Sequence, residues 1–458
     1  MTGAQRLLAI GLVLGVTLVA FEVTAVVTAM PTITDQLHGD SLYGLGMAVY
    51  TLANMVALVA AGELADRRGP SLPYVISIVT FIAGLSVAAA APTMVWVVIG
   101  RTLQGAGTGG LQPIAYTLVN RAFPRSSQPK MFAILSAGWV VPSLFAPALS
   151  GWVVDSFGWR WVFLGIIPFA IVVATLAVQP MRRYGPITKD RRPSRVPQAV
   201  AAAAGVGAFA TGLQMANPYA AVLTALAGGT VAVRSLRTLL PAGVFTAQLG
   251  FPAIVACRIL ATATFMGADS FIPLAADRIH GARPLIQGFV IIGAALSWTT
   301  GQWVRARRPP ARPDRAVRTG FVVLALGIVL VSPTLWSAWP LWATFAGWSV
   351  GGFGMGLLFN PTTVATMAYA TPGDEGRVSS QLTLGDALGF SLMGGVGGAS
   401  VAVADRTSLS ISTALGVNFV LALCLACAGI AAASRIRPAG SAPSTFTPSP
   451  FTPSLSTP

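Results

Sequence analysis

The sequence predicts an all-α polytopic membrane protein with fourteen transmembrane helices, on three observations. Fourteen long apolar stretches follow one another from Leu7 to Ala433. Apolar residues make up 54% of the 458 residues and charged residues 9%, whereas soluble domains are about one quarter charged. Lys and Arg gather in short loops on alternate sides of the stretches. Backbone inside lipid must be satisfied within helices, so the pattern reads as a bundle of spans and not as a string of soluble domains. The net charge of +15 therefore does not point to nucleic acid; the expected surroundings are membrane lipid.

The expected spans are 7–30, 42–62, 73–91, 94–119, 131–154, 160–178, 198–216, 219–233, 250–275, 285–304, 318–333, 339–366, 381–403 and 411–433. The first opens after Arg6 like a secretory leader but stays apolar to Met30 apart from Glu22, too long for a leader's apolar core. The second leads into a charged loop, Gly62 to Gly69. The fourth carries Arg101 and a run of glycines, and the fifth is rich in Gly and Pro. The sixth follows the outer segment Trp159-Arg160-Trp161. The seventh is Ala-rich, and the eighth has 15 residues, below the roughly 20 a crossing needs. The ninth holds Arg258 and Asp269, the twelfth is Gly-rich, and the thirteenth contains Asp386. The last carries Cys424 and Cys427, which with Cys257 are the three cysteines. All three lie in expected spans, so they read as small packing residues and not as a disulfide framework or metal site.

With the N-terminus inside, 23 of the 29 Lys and Arg residues fall on the cytoplasmic side, the positive-inside bias. Arg160, Arg278, Arg283 and Arg406 fall outside. This also weighs the seventh and eighth spans. Removing both leaves every other loop in place, whereas removing one turns the Arg-rich loop 305–318 outward. They therefore stay or go together, and the expected organisation keeps them as an extra pair. The expected organisation is a six-helix bundle (1–178), a basic cytoplasmic linker (179–197), the extra pair and its connection (198–249), a second six-helix bundle (250–433) and a disordered cytoplasmic tail (434–458). The tail is rich in Pro, Ser and Thr, with too little apolar surface to fold. A weak repeat links the halves: Arg101, Gln104, Gly105, Gly107, Gly109, Gly110 and Pro113 are echoed by Gly351, Gly352, Gly354, Gly356, Asn360 and Pro361. Such repeats accompany secondary transporters, whose binding site lies between the halves.

Five ionisable side chains sit well inside the spans: Glu22, Arg101, Arg258, Asp269 and Asp386. Each costs about 2.5–3.5 kcal/mol on insertion scales and asks for a function or a partner. Arg101 stays charged and must find an acid, a carbonyl or water. Desolvation disfavours a carboxylate's charged form, which makes Glu22 the leading proton carrier, with Asp269 and Asp386 as further candidates. Arg258 and Asp269 share a helix face but stand about 16 Å apart along it, too far to bridge. Asp386, near one end of its span, reads equally as a gate or as a side chain snorkelling to the interface. Phe21, Tyr50, Tyr116, Trp139 and Phe353 line a cavity or face lipid. With Thr24, Asn54, Gln104, Arg258 and Asn360, the first four complete the candidate cavity set.

Several motifs occur in a telling order. Gly62-Glu-Leu-Ala-Asp66-Arg67-Arg68-Gly69 resembles the G-x-x-x-D-R-x-G signature of the major facilitator superfamily, and Arg101-Thr-Leu-Gln104-Gly105-Ala-Gly107 is similar to its R-x-x-Q-G-x-G motif. Gly138, Pro142, Ala146-Pro147 and Gly151 resemble the fifth-helix motif of its antiporters. Phe21-Glu22-Val-Thr24 and Trp159-Arg160-Trp161-Val-Phe163 look like elements of its fourteen-helix drug:proton branch. Pro70-Ser71-Leu72 replaces the usual basic residues after the first motif, Ala146 stands where Gly is usual, and Glu22 where Asp is usual. The resemblance implies a major-facilitator fold and proton-coupled efflux of amphipathic organic compounds across the cytoplasmic membrane. It implies gating by Asp66, with Arg67 as its ionic support, and conformational roles for Gly69, Arg101, Gly138, Pro142, Pro147 and Gly151.

The expected partners are a small organic substrate and protons; a monomer with both termini cytoplasmic is expected. No cofactor is expected beyond a proton gradient, since no G-x-x-x-x-G-K-[ST] loop is present. An importer or a narrow metabolite transporter on the same fold is the alternative. A membrane-embedded transferase or hydrolase needs convergent acids, bases or metal ligands. His38 and His280 fall in separate outer loops, and Asp35, Asp40, Asp155, Asp277 and Asp405 show no metal-ligand spacing. A scaffold leaves the buried charges unexplained.

Overall fold

The computed structural model describes residues 3–39, 42–186, 193–215 and 217–437. Asp40, Lys189, Arg191, Arg192 and the tail from Pro438 lie outside the described residues, and so does the expectation of disorder placed on that tail. The described residues form fourteen membrane-length rods from eighteen α-helices: α1 (Gly3–Gln36), α2 (Tyr43–Arg68), α3 (Ser71–Ala89), α4 (Met94–Thr108), α5 (Leu111–Ala122), α6 (Gln128–Ala137), α7 (Val140–Phe157), α8 (Arg160–Leu164), α9 (Ile166–Met181), α10 (Val196–Gln214), α11 (Pro218–Leu239), α12 (Phe251–Asp269), α13 (Ile272–Arg278), α14 (Pro284–Arg307), α15 (Pro313–Val331), α16 (Leu341–Ala368), α17 (Glu375–Arg406) and α18 (Ile411–Ala433). The pairs α4/α5, α6/α7, α8/α9 and α12/α13 each make one rod with a break. The α6/α7 break at Gly138–Trp139 has a local cause, since Pro142 has no N–H to offer the turn before it. Eleven helical segments are long and apolar enough to cross a membrane by length and composition, α10 and α11 among them.

The largest departures from the expected spans are overruns at helix ends. An apolar window stops at a charge, but helical hydrogen bonding does not. The expected 15-residue eighth span is the 22-residue α11, running past Arg234 and Arg237. The first helix continues through Pro31 to Gln36. Gly62 to Arg68, expected as a loop, forms the last two turns of α2, and the chain turns only at Gly69, where φ is 84°. α17 begins at Glu375 and not near 381, which moves Asp386 three turns inside it. The snorkelling reading of Asp386 fails for that reason. Cys257 is buried, but Cys424 and Cys427 are exposed on α18, so these two are not core residues.

Two main apolar clusters hold the rods. One draws on residues from Leu8 to Met181 and takes in Met367, Val378 and Leu382; the other draws on residues from Ala253 to Ile436. The same arrangement recurs in each: α4 packs on α2 and α3 as α16 packs on α14 and α15, and α1 meets α7 and α9 as α12 meets α17 and α18. Between the clusters α17 lies against α2, and α14 against α6 and α7. α10 and α11 pack mainly on each other, with α10 laid along both α2 and α17.

Glycines set the closest approaches. A Cβ on Gly105 would collide with the Tyr50 carbonyl, and one on Gly109 would stand 2.6 Å from that of Asn54. Small residues are what let membrane helices approach this closely.

Candidate functional site

Three polar constellations stand out among the described residues of the bundle. The first joins α1 and α4. Glu22 is fully buried and Arg101 is 1% exposed, and the Arg101 guanidinium donates to the Glu22 carboxylate. The same Nη1 donates to Gln104 Oε1 at 2.7 Å, and Gln104 in turn donates to the Gly84 carbonyl at 3.3 Å. The guanidinium lies 4.2 Å over the Tyr50 ring, a cation–π contact. Thr108 donates to the Tyr50 hydroxyl at 3.0 Å, and Asn54 donates to Thr108 at 3.2 Å. The Tyr50 hydroxyl also stands beside the Glu22 carboxylate. Arg101 thus has three kinds of partner, of which Glu22 is the carboxylate.

The second constellation joins α12 and α17. Arg258 is fully buried and pairs with Asp386 through Nε at 2.5 Å and Nη2 at 3.0 Å, a two-pronged geometry suited to a guanidinium. Nη1 donates to the Phe359 carbonyl at 2.9 Å, Thr362 at 3.1 Å and Thr363 at 3.0 Å. Thr262 donates to Asp386 at 3.1 Å, and the Phe359 ring lies 3.1 Å from the guanidinium. Tyr116 of α5 stands beside this pair, so a side chain of the first cluster reaches the buried charges of the second. Asp269 is apart from Arg258, as the spacing implied, and accepts from Trp348 Nε1 at 2.7 Å. From Trp348, ring contacts run through Phe265 and Trp298 to Phe359.

The third constellation closes the end of the bundle that carries the basic loops. Asp66, near the end of α2, accepts from the backbone N–H groups of Gly376 at 2.7 Å and Arg377 at 2.9 Å. These are free donors of the first turn of α17, where the helix dipole also favours a carboxylate. Arg121 stands 3.7 Å from Asp66 and 2.8 Å from Glu375. Around this clamp, Thr117 meets Ser379 at 3.0 Å, Ser380 donates to the Leu58 carbonyl at 2.7 Å, and Asn360 donates to that of Pro129 at 2.9 Å. A Cβ on Gly62 would collide with Ser380 and stand 2.5 Å from the Gly376 carbonyl. The two helices can touch here because both positions are glycine.

The remaining expected residues scatter. Arg67 is 3.8 Å from Glu63, one turn back on α2; the cation beside Asp66 is Arg121, not the Arg67 that the resemblance implied. Phe21 and Pro142 line an apolar groove of about 310 Å³ with Thr17, Phe145, Ile166 and Phe169. Phe145 there is 64% exposed and Trp139 is 40% exposed, so this groove is on the outer flank of the bundle. Thr24 donates to the Ala20 carbonyl. A Cβ on Gly138 would crowd Thr17 at 3.1 Å, but one on Gly151 would meet nothing. Pro147 lies inside α7. Arg121 and Glu375 escaped sequence reading because both fall outside the apolar windows. The one available signal was a charged residue a turn or two beyond each window. Among the described residues, no group of three or more His, Cys, Asp or Glu side chains could hold a metal ion.

Comparison with known proteins agrees with this geometry. The sequence profile described as Major Facilitator Superfamily matches residues 12–392. A Mycobacterium tuberculosis protein named "Probable multidrug-efflux transporter" is 26% identical over 440 residues, covering 91% of this chain and 92% of that one. The "Multidrug resistance protein 3" of Bacillus subtilis is 23% identical over 413 residues, covering 86% and 80%. Among solved structures, the human organic anion transporter named TETRAN superposes with a TM-score of 0.71 at 14% identity, covering 94% of this chain and 100% of that one. A proton:xylose symporter superposes with a TM-score of 0.65 at 12% identity, covering 93% and 94%. With a family profile spanning most of its length, the chain belongs to the Major Facilitator Superfamily and is a multi-pass membrane transporter, not an enzyme.

Proposed function

We propose that the protein is a proton-coupled exporter that moves amphipathic organic compounds out of the cytoplasm by alternating access. The observation that carries this reading is the pairing of a protonatable Glu22 with an Arg101 that has other partners to fall back on. A proton arriving on Glu22 cancels the ion pair, and Arg101 keeps Gln104 and the Tyr50 ring. The site can therefore exist in two charge states with the Arg101 guanidinium still held in each. Relatives named for multidrug efflux and multidrug resistance support the substrate class. The Asp66 clamp is the gate in this reading. It joins α2 to α17, which packs on α12, through non-covalent contacts alone, and such contacts break as two six-helix halves rock about a central cavity. Asp386 and Asp269 are secondary candidates for proton binding. The driving force is the proton gradient, with no bound cofactor, and the working unit is a monomer in lipid.

The test is export of a broad panel of amphipathic compounds in cells lacking other pumps, with and without dissipation of the proton gradient. Gradient-dependent efflux of several unrelated compounds is the expected result. Gradient-dependent uptake, or activity on one metabolite alone, replaces efflux by import or narrow specificity.

The orientation is part of the same proposal. Basic loops and both termini face the cytoplasm, on the Arg bias. In a chain with Cys257, Cys424 and Cys427 replaced by Ser, Ser408→Cys is expected to react with an impermeant maleimide in intact cells and Pro309→Cys only after permeabilisation. The opposite pattern inverts the topology.

A further inference from the structure

The end of α2 carries a second carboxylate, and it too seats the start of another helix. Glu63 accepts from the backbone N–H of Arg195 at 2.6 Å and from the Ser194 hydroxyl at 3.0 Å, and Arg195 is the residue at which α10 begins. Three residues apart on one helix, Asp66 thus holds the start of α17 and Glu63 the start of α10. The Arg195 side chain then reaches the neighbouring end of α11, donating to the carbonyls of Thr238 and of Leu239, the latter at 3.3 Å. Gln381 of α17 donates to the same Leu239 carbonyl at 2.8 Å. A continuous polar path therefore runs from α2 through Glu63, Arg195, Leu239 and Gln381 to α17, beside the Asp66 clamp. A small cleft lined by Val59, Glu63, Arg377 and Leu384, among others, separates the two.

We infer that Glu63 is a second gate residue: the helix pair α10/α11 is a latch that travels with the second half and is released from α2 when the basic end opens. This rests on the alternating-access reading above and adds a moving part to it. The side that breaks follows from how the pair is tied. The end of α11 leads to α12 through only residues 240–250. Within that connection Leu240 and Val244 pack with Val255 and Ala256 of α12 and Leu384 of α17, and Gln381 holds the adjoining carbonyl. Toward α2, Ala199 and Ala202 of α10 share an apolar cluster with Met55, Leu58 and Val59, and Gly207 lies against Leu52; these small residues on α10 separate without unthreading. The polar hold on that side is Glu63. Opening thus breaks both carboxylate contacts of α2 together and leaves Gln381 on Leu239.

The experiment uses the full chain without its native cysteines, with Gln112→Cys as reporter; Gln112 is half-buried beside Tyr116. Labelling of the reporter is followed from the face that carries Asp66. Glu63→Ala is expected to raise the labelling rate about tenfold, as loss of a charge-assisted contact implies, and Glu63→Gln, which keeps an acceptor for the Arg195 N–H, less. A disulfide between Glu63→Cys and Ser194→Cys is expected to suppress labelling and stop transport until reduced. A disulfide between Gln381→Cys and Leu239→Cys is expected to leave both running. If the second disulfide arrests the protein and the first does not, the pair rides with the first half and the inference is overturned. If Asp66→Ala raises labelling and Glu63→Ala does not, alternating access stands and the latch does not exist. If neither substitution changes labelling, the gate itself is misassigned and the latch falls with it.

Discussion

Glu22→Gln is expected to abolish uphill transport while sparing exchange. Gln keeps nearly the same volume and still offers an oxygen to the Arg101 guanidinium, so the contact survives in a neutral form. It cannot take up or release a proton, so substrate movement loses its link to the proton gradient. In proteoliposomes with an imposed proton gradient, accumulation should fall to the equilibrium distribution, while exchange of labelled for unlabelled substrate across the membrane persists. Some loss of stability is expected too. Removing one partner of a buried ion pair costs about 3–5 kcal/mol, an upper figure here because Gln104 and the Tyr50 ring remain to Arg101. Retained exchange separates this outcome from simple misfolding. Should Glu22→Gln concentrate substrate at the normal rate while Asp386→Asn or Asp269→Asn does not, the proton carrier lies in the second half.

Asp66→Ala is expected to shift the resting protein toward a state open at the basic end. The substitution removes acceptors for two backbone donors of α17 and an ionic contact to Arg121. Hydrogen bonds to a charged group contribute about 1.5–3 kcal/mol each, and every 1.4 kcal/mol is about a tenfold change in an equilibrium. Labelling of an interior cysteine from that face should therefore rise about a hundredfold, with protein level little changed and net transport reduced. Arg121→Met should act in the same direction but more weakly, since Asp66 keeps both backbone contacts. Unchanged accessibility in Asp66→Ala would remove the gate and leave the fold untouched.

How much of this was legible in the sequence follows from what each signal measures. Hydropathy measures burial in lipid along one chain segment. It counted fourteen rods, α10 and α11 included, because both are apolar enough to register; the Arg distribution required only that the pair stand or fall together. It misplaced helix ends wherever charge begins before helix stops, which is why α2 was expected to end before Asp66 and α17 to start after Glu375. Asp66 and Glu375 therefore fall in expected loops, and neither Arg121 nor Glu375 carries a mark that singles it out in the sequence. The buried charges were conspicuous one by one, yet their pairing was not readable. Glu22 lies 79 residues from Arg101 and Asp386 lies 128 from Arg258, and no local periodicity carries information over such separations. Arg67 shows the limit of motif reasoning. Its place in the pattern suggested support for Asp66, while the helical turn sets it opposite Glu63. The second carboxylate of α2, Glu63, occupies an unspecified position of the quoted motif, and its partner lies 132 residues away at the start of α10.

The most direct test of coupling through Glu22 is proton movement driven by substrate alone. Purified protein in weakly buffered proteoliposomes, with no imposed gradient, is given a substrate gradient while internal pH is recorded. The account predicts that substrate moving down its gradient drives protons the opposite way in the wild-type chain, and that Glu22→Gln lets the substrate pass with no change in pH. Substrate flux with no proton movement in the wild type, or undiminished proton movement in Glu22→Gln, would contradict it.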